Sequence, residues 1–288
     1  MNWSDIGDAM FGGVSDYGAI LALVSNSVIA GAVLGLVGGL VGVFVMQRDM
    51  AFAVHGISEL SFAGAAFALL IGWDVVTGSI VGSLIAAGLI GWLGPRARDR
   101  NSFIGVLMPF GLGLGILFLS LYSGRSANRF SLLTGQIVSV QNAQLGWLIA
   151  ISILVLLGLL FIWRPLRFDS LDPQSAAARG VPVTAVSLGF MLLLGLIVAV
   201  AIHIIGALLV MALLVTPAAA AMRIASGPWS VPLLAAGFGF VSAVGGILLA
   251  IAGTLPVSPY ITTISFLIYL VCRLVGGRRG RVTRARFA

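Results

Sequence analysis

His55 and Glu59 stand four residues apart in AFAVHGISELSFAGAAFALLIGW, residues 51–73, a run otherwise apolar enough to sit in a bilayer. Glu59 is the only glutamate of the 288-residue chain, and His55 is one of its two histidines. On a helix an i, i+4 pair shares one face, so the imidazole and the carboxylate point the same way. A carboxylate near the bilayer centre costs roughly 2.5–3.5 kcal/mol on insertion scales, and it is tolerated where it faces protein or water. Three chemistries fit such a pair. It can be a hydrogen bond that locks two helices, a step in a proton relay, or a seat for Zn2+ or Mn2+, which accept imidazole nitrogen and carboxylate oxygen. Ser58 and Ser61 on the same run could complete a coordination shell through water. Residue types alone leave the three readings open.

The elements that must position this pair are membrane-spanning helices. Hydrophobic residues make up 60% of the chain and charged ones 9%, with a mean hydropathy of +1.14. A soluble domain carries about 25% charged residues. Repeated apolar runs predict nine spans, at roughly 24–46, 51–72, 75–94, 103–122, 144–163, 183–203, 205–222, 231–252 and 260–275. The segment FSLLTGQIVSV, residues 130–140, is too short to cross and reads as a re-entrant or interfacial helix on the outer face. The expected architecture is an all-α polytopic bundle. Residues 1–276 form one transmembrane domain, and 277–288 form a basic cytoplasmic tail. The leader before the first run carries Asp5, Asp8 and Asp16 where a cleaved signal would be basic, so no processing is expected.

All 16 basic residues are arginine. Without a lysine the chain cannot build a P-loop, so it is not its own nucleotide hydrolase of that class. A pI near 11.0 would suggest a nucleic-acid partner in a soluble protein. Here the arginines fall between apolar runs and orient helices, and no nucleic-acid role is read. If residues 47–50 are cytoplasmic, so are Arg48, Arg96, Arg98, Arg100, Arg164, Arg167, Arg179, Arg223 and the arginines from Arg273 to Arg286. That arrangement puts 14 arginines inside and only Arg125 and Arg129 outside, with the N-terminus outside and the C-terminus inside. The single cysteine, Cys272, excludes an internal disulfide and reads as a small packed residue.

Many of the 38 glycines recur at small-xxx-small spacing within spans, as at Gly31/Gly35, Gly38/Gly42, Gly78/Gly82 and Gly111/Gly115. In lipid this spacing lets helix backbones approach closely. GLGLG at 111–115 looks superficially like a nucleotide fingerprint, but no strand precedes it and helix packing is the better reading.

GVFVMQRDMAFAVHGISELSFAGAAFALLIG, residues 42–72, resembles the signature run of the zinc/manganese permeases of ATP-binding-cassette importers, the ABC-3 type. The agreement falls at Gly42, Phe44, Val45, Arg48, Met50 and Gly64. A second stretch, IIGALLVMALLVTPAAAAMRIA at 204–225, is similar to another family run at Gly206, Ala207, Leu208, Leu209, Val210, Leu213, Leu214, Pro217, Ala218, Ala219 and Ala221. SFIGVLMPFGLGLGILFL and LLTGQIVSV agree in character with two further family segments, so the resemblance covers most of the chain. Where the family has Asp and then His, this chain has His55 and then Glu59. A histidine common in zinc members falls at Pro109 or a neighbour, and the aspartate of an "F-G-D" segment is Gln136. With one carboxylate, one imidazole and no thiolate, the site is open to Mn2+ or Fe2+ as well as Zn2+.

The resemblance implies the permease subunit of a metal importer in the bacterial cell membrane, with no catalytic residue and no permanently bound cofactor. It implies a homodimer, two copies of a cytoplasmic ATPase and an extracytoplasmic metal-binding protein. His55 and Glu59 would line the path and hold the ion weakly enough to release it. His203, at the outer end of the sixth span, would receive the ion there; an ordinary interfacial histidine is the competing reading. Ala218, Ala219, Ala220, Ala221, Met222, Arg223, Ile224 and Ala225 would follow a break at Pro217 as a short helix docking on the ATPase, running to Gly227-Pro228. The loop 171–183 is a second candidate contact, with Asp172, Arg179 and Gly180. Asp172-Pro173 reads as an N-cap with Pro at N1. Two rivals are a siderophore- or cobalamin-type permease, which needs a wide apolar pathway and no ligand pair, and a proton-coupled secondary carrier. The carrier would show inverted repeats, and none is evident.

Overall fold

The computed structural model describes residues 24–92, 97–124, 140–251 and 257–286. These form ten helices and no strand: α1 (Ser25–Gln47), α2 (Ala51–Ile71), α3 (Val75–Trp92), α4 (Ala97–Leu121), α5 (Asn142–Leu171), α6 (Pro173–Ala178), α7 (Val183–Ile205), α8 (Ala207–Ile224), α9 (Ser230–Ile251) and α10 (Val257–Arg286). Helix is what hydrocarbon demands, because a chain in lipid must satisfy its own backbone N–H and C=O groups. Eight of the ten are long and apolar enough to cross a membrane. The expected seventh span, 205–222, is present as α8, but its apolar part, Leu209–Ile224, is shorter than the others. The short helix expected at 130–140 falls almost wholly outside the described residues, as does Gln136.

Two exposed tryptophans bracket α3, Trp73 at 67% and Trp92 at 81% exposure. Nineteen helical steps span about 28 Å, close to the hydrocarbon thickness of about 30 Å. Amphipathic rings at those two depths fit the aromatic belts of a membrane protein. Sharp local signals end the elements. The reversal from α1 into α2 runs through Asp49, whose φ of 52° is left-handed, a conformation that a short polar side chain tolerates. Gly72 ends α2 at φ 77° while Trp73 N–H donates to the Ala68 carbonyl at 2.8 Å, the αL stop that favours glycine. Asp74 then opens α3, accepting from Thr77 N–H at 2.9 Å and from its hydroxyl at 2.8 Å.

The described residues group into two compact units: 24–43 with 140–142, 212–251 and 257–286, and 44–92 with 97–124 and 143–211. In the first, α1 packs on α9 and α8 through backbone. A Cβ added at Gly35 would lie 2.4 Å from the Gly239 carbonyl oxygen, and one at Gly42 would lie 1.7 Å from that of Leu214. Pro217 does not interrupt α8, which runs helical to Ile224. The missing N–H leaves the Leu213 carbonyl without its helical partner, and Gly38 gives α1 a close approach to that oxygen, 3.5 Å from where its Cβ would be. Asn26 ties the first turn of α1 to the Val140 carbonyl at 3.2 Å and to the Asn142 side chain at 2.7 Å.

The second unit holds the expected ligand pair. Helix α2 lies between α3 and α4 and also meets α7. Its seam with α3 is again glycine-made: a Cβ at Gly64 would come within 2.2 Å of the Gly78 carbonyl oxygen, and one at Gly82 within 2.3 Å of the Leu60 oxygen. A polar stitch joins three helices there. The Ser61 hydroxyl donates to the Ser79 carbonyl at 2.9 Å, and the Ser79 hydroxyl donates to the Ala199 carbonyl of α7 at 3.1 Å.

Candidate metal site

Nothing in the first two turns of α2 breaks the helix, so the i, i+4 spacing becomes real proximity. His55 Nε2 lies 3.6 Å from Glu59 Oε1. That is ion-pair reach and longer than a hydrogen bond of ordinary length. Glu59, the ninth residue of a 21-residue helix, sits near its middle and is 6% exposed. The His55 side chain keeps 27% of its surface. Its Nδ1 is buried without a hydrogen-bond partner among the described residues. A histidine serving only as a helix lock would have that nitrogen satisfied. Here the pair presents one buried carboxylate, one imidazole and an unmet nitrogen beside them, which is a partial ligand set for a cation.

Helix α4 closes one side of this stretch. A Cβ at Gly56 would touch Ile104, and one at Gly111 would stand 3.1 Å from the Glu59 backbone carbon. Pro109, where a further histidine was sought, lies on the exposed face of α4. Of the two serines, Ser58 back-bonds to the Val54 carbonyl at 2.9 Å and Ser61 serves the α3 stitch. Both hydroxyl protons are donated to backbone carbonyls, so what either serine can still offer is its oxygen lone pairs. Among the described residues no three His, Cys, Asp or Glu side chains come together.

His203 is in the last turn of α7, half-buried, with Nδ1 lacking a hydrogen bond among the described residues. The packing of Ser79 on Ala199 and of Ser83 on Gly195, with Leu60 against Gly82, puts Glu59 level with about Gly195. His203 is then about 12 Å farther along the axis. It belongs to a different level from the α2 pair.

The two loop candidates differ in what they offer a partner. In the stretch 218–225, Ala218, Ala220 and Ala221 are buried, and Met222 and Arg223 are exposed. The helix ends at Ile224 and does not run on to Gly227-Pro228. Its last turn is held by α10, since a Cβ at Gly276 would lie 2.2 Å from the Arg223 carbonyl oxygen. In the stretch 172–180, Asp172 caps α6 with Pro173 behind it, accepting from Gln174 N–H at 3.1 Å and Ser175 N–H at 3.0 Å. The Ser175 hydroxyl on its carboxylate, with that backbone N–H, holds Asp172 below the usual aspartate range. Arg179 and Gly180 are exposed, and Gly180 turns the chain at φ 83°.

One buried group went unread in the sequence. Asp169, in the last turn of α5, pairs with Arg48 of the α1–α2 joint, with side-chain exposures of 1% and 9%. Arg48 also donates to the Ser187 hydroxyl of α7 at 3.0 Å. Arg48 had been read as a marker of sidedness and as a residue of the family run, with no partner assigned to it. The available signal was an aspartate between Phe168 and Ser170 at the end of a strongly apolar run.

The chain matches the ABC 3 transport family over residues 21–276. It is 28% identical over 262 residues to the manganese transport system membrane protein MntC of Halalkalibacterium halodurans, covering 91% of this chain and 90% of that one. To the manganese import system permease protein ScaB of Streptococcus pneumoniae it is 30% identical over 257 residues, covering 86% and 88%. Its fold superposes on the solved structure of PsaBC from Streptococcus pneumoniae in complex with Fab with a TM-score of 0.80 at 27% identity, over 90% of this chain and 95% of that one.

Proposed function

The chain belongs to the ABC 3 transport family, and from that premise we propose that it carries a divalent first-row cation, Mn2+ first, past His55 and Glu59. It is a multi-pass permease of the bacterial cell membrane and not an enzyme; ATP hydrolysis belongs to a separate ATPase subunit. Family membership sets aside the stand-alone proton-coupled carrier. The single observation that carries the cargo reading is the α2 pair: a carboxylate at mid-span, an imidazole 3.6 Å away and its unsatisfied Nδ1. A siderophore pathway gives no reason for such a pair.

Nitrogen and carboxylate oxygen without thiolate suit Mn2+ and Fe2+, and the relatives named above carry manganese in their names. Such a site binds Zn2+ at least as tightly by the usual order of affinities, so delivery and release must set the preference. Two protein donors make a weak seat, which conduction needs. The working assembly in this reading is a homodimer, with the 47–50 joint, the Asp172–Gly180 loop and the end of α8 facing two ATPase subunits in the cytoplasm. The opposite face, with His203, takes the ion from a metal-binding protein. The test is uptake of Mn2+ and Zn2+ into liposomes holding permease, ATPase and binding protein. Glu59→Gln keeps shape and removes charge, and it should abolish uptake with assembly intact. Full uptake by that variant would return Glu59 to helix packing.

A further inference from the structure

Beyond the ion seat, the second unit contains an unbroken line of contacts from an exposed loop to the joint that carries α2. Arg179 closes α6 on the surface, and its guanidinium lies 5.4 Å over the Phe168 ring. The next residue, Asp169, is buried in its ion pair with Arg48. Arg48 also holds Ser187 at 3.0 Å and sits 6.0 Å over the Phe190 ring. Two residues beyond Arg48, Met50 accepts from Ala53 N–H at 3.0 Å as α2 begins. His55 and Glu59 follow at about 7.5 and 13.5 Å along the same straight helix.

We propose that Arg48 and Asp169 are positioning residues through which the Asp172–Gly180 loop sets the placement of His55 and Glu59. The inference rests on the permease reading above and adds a route that the reading does not contain. A buried ion pair is an expensive way to glue helices, because apolar residues of similar volume are often neutral or stabilising in its place. What the pair has and packing lacks is two discrete conditions, engaged and released. It sits in a three-residue joint turned by the left-handed Asp49, where a small rotation swings all of α2. A partner bearing on Arg179 would press on Phe168 and the end of α5, and thereby on Asp169. Coupling between sites requires such a two-condition element biased from both ends.

The experiment compares the assembled permease–ATPase complex with Arg48→Met/Asp169→Leu, which removes both charges together, and with Arg179→Ala at the exposed end. Hydrogen exchange over residues 51–59 and 172–180 is followed as a non-hydrolysable ATP analogue is added, and ATP consumed per Mn2+ moved is measured in liposomes. In the wild type the analogue should change exchange in both segments. In the double variant the change at 172–180 should persist and that at 51–59 should vanish, with Mn2+ moved per ATP falling about tenfold, within the usual range of coupling. Arg179→Ala should reproduce part of that loss. A 51–59 response that survives in the double variant overturns the proposal, as does a wild-type loop that never responds. Wild type that responds in both segments yet moves no metal upholds the coupling route and counts against the cargo reading alone.

Discussion

Two carboxylates are buried in the same unit, and they are kept in opposite ways. Asp169 is held by a direct partner: Arg48 grips it, and Arg48 is in turn fixed by Ser187 and shielded by Phe190. Glu59 has a partner at 3.6 Å, with a half-buried ring whose second nitrogen is unmet. Desolvation penalises both acids. The first is compensated by a direct ion pair, the second only by a longer contact with a ring that is charged only when protonated. On the permease reading proposed above, the difference separates a charge used to hold the molecule from a charge left available to the cargo.

The comparison can be broken most forcefully at Arg48. Arg48→Met alone strands Asp169 without its ion pair and should cost about 3–5 kcal/mol, seen as a large fall in Tm in detergent. The Arg48→Met/Asp169→Leu pair should recover most of it. Glu59→Gln should do the reverse, leaving Tm unchanged or higher while cutting Mn2+ uptake at least about a hundredfold, beyond the 10–100-fold typical of losing a mere supporting partner of a ligand. A Glu59→Gln variant that melts like Arg48→Met would erase the distinction between the two acids. Between these extremes, Gly82→Ala pushes a methyl against the Leu60 carbonyl. It should destabilise by about 1–3 kcal/mol, measured as thermal loss of helicity and independent of metal. The smallest effect belongs to Asp172→Asn, which weakens an exposed cap and should alter only hydrogen exchange in α6. Because the Asp172 pKa is lowered, the wild-type cap is fully formed above the ordinary aspartate range. It is lost only as pH falls through that lowered value, so the two proteins should converge in strong acid.

Much of the bundle was legible in the amino-acid string, because lipid admits few backbone solutions and a 20-residue apolar run has one meaning. The order and approximate limits of the helices follow from that, as does the Asp172-Pro173 start of α6. Pro217 misled, since a proline inside a membrane helix is tolerated where neighbouring helices pack against it; the close approach of Gly38 to Leu213 is a tertiary fact with no local trace. Met222 and Arg223 are exposed while the alanines before them are packed, and a run of alanine does not reveal which side is covered. The His55–Glu59 pair could be read because both partners lie on one helix. The Arg48–Asp169 pair could not, because 121 residues separate its members and no periodicity links them.

The glycine seams carry a last consequence, for what can vary. Where a Gly64 or Gly82 backbone touches the opposing carbonyl, any larger side chain must move an entire helix, so these seams are nearly closed to gradual sequence change. The His55 and Glu59 side chains themselves take no part in such a seam, and two side chains on one helix can be exchanged without reshaping the scaffold. Even their order along the helix is free, since an i, i+4 pair read in either direction meets on the same side. The pair can therefore change at a few positions while the surrounding bundle stays fixed.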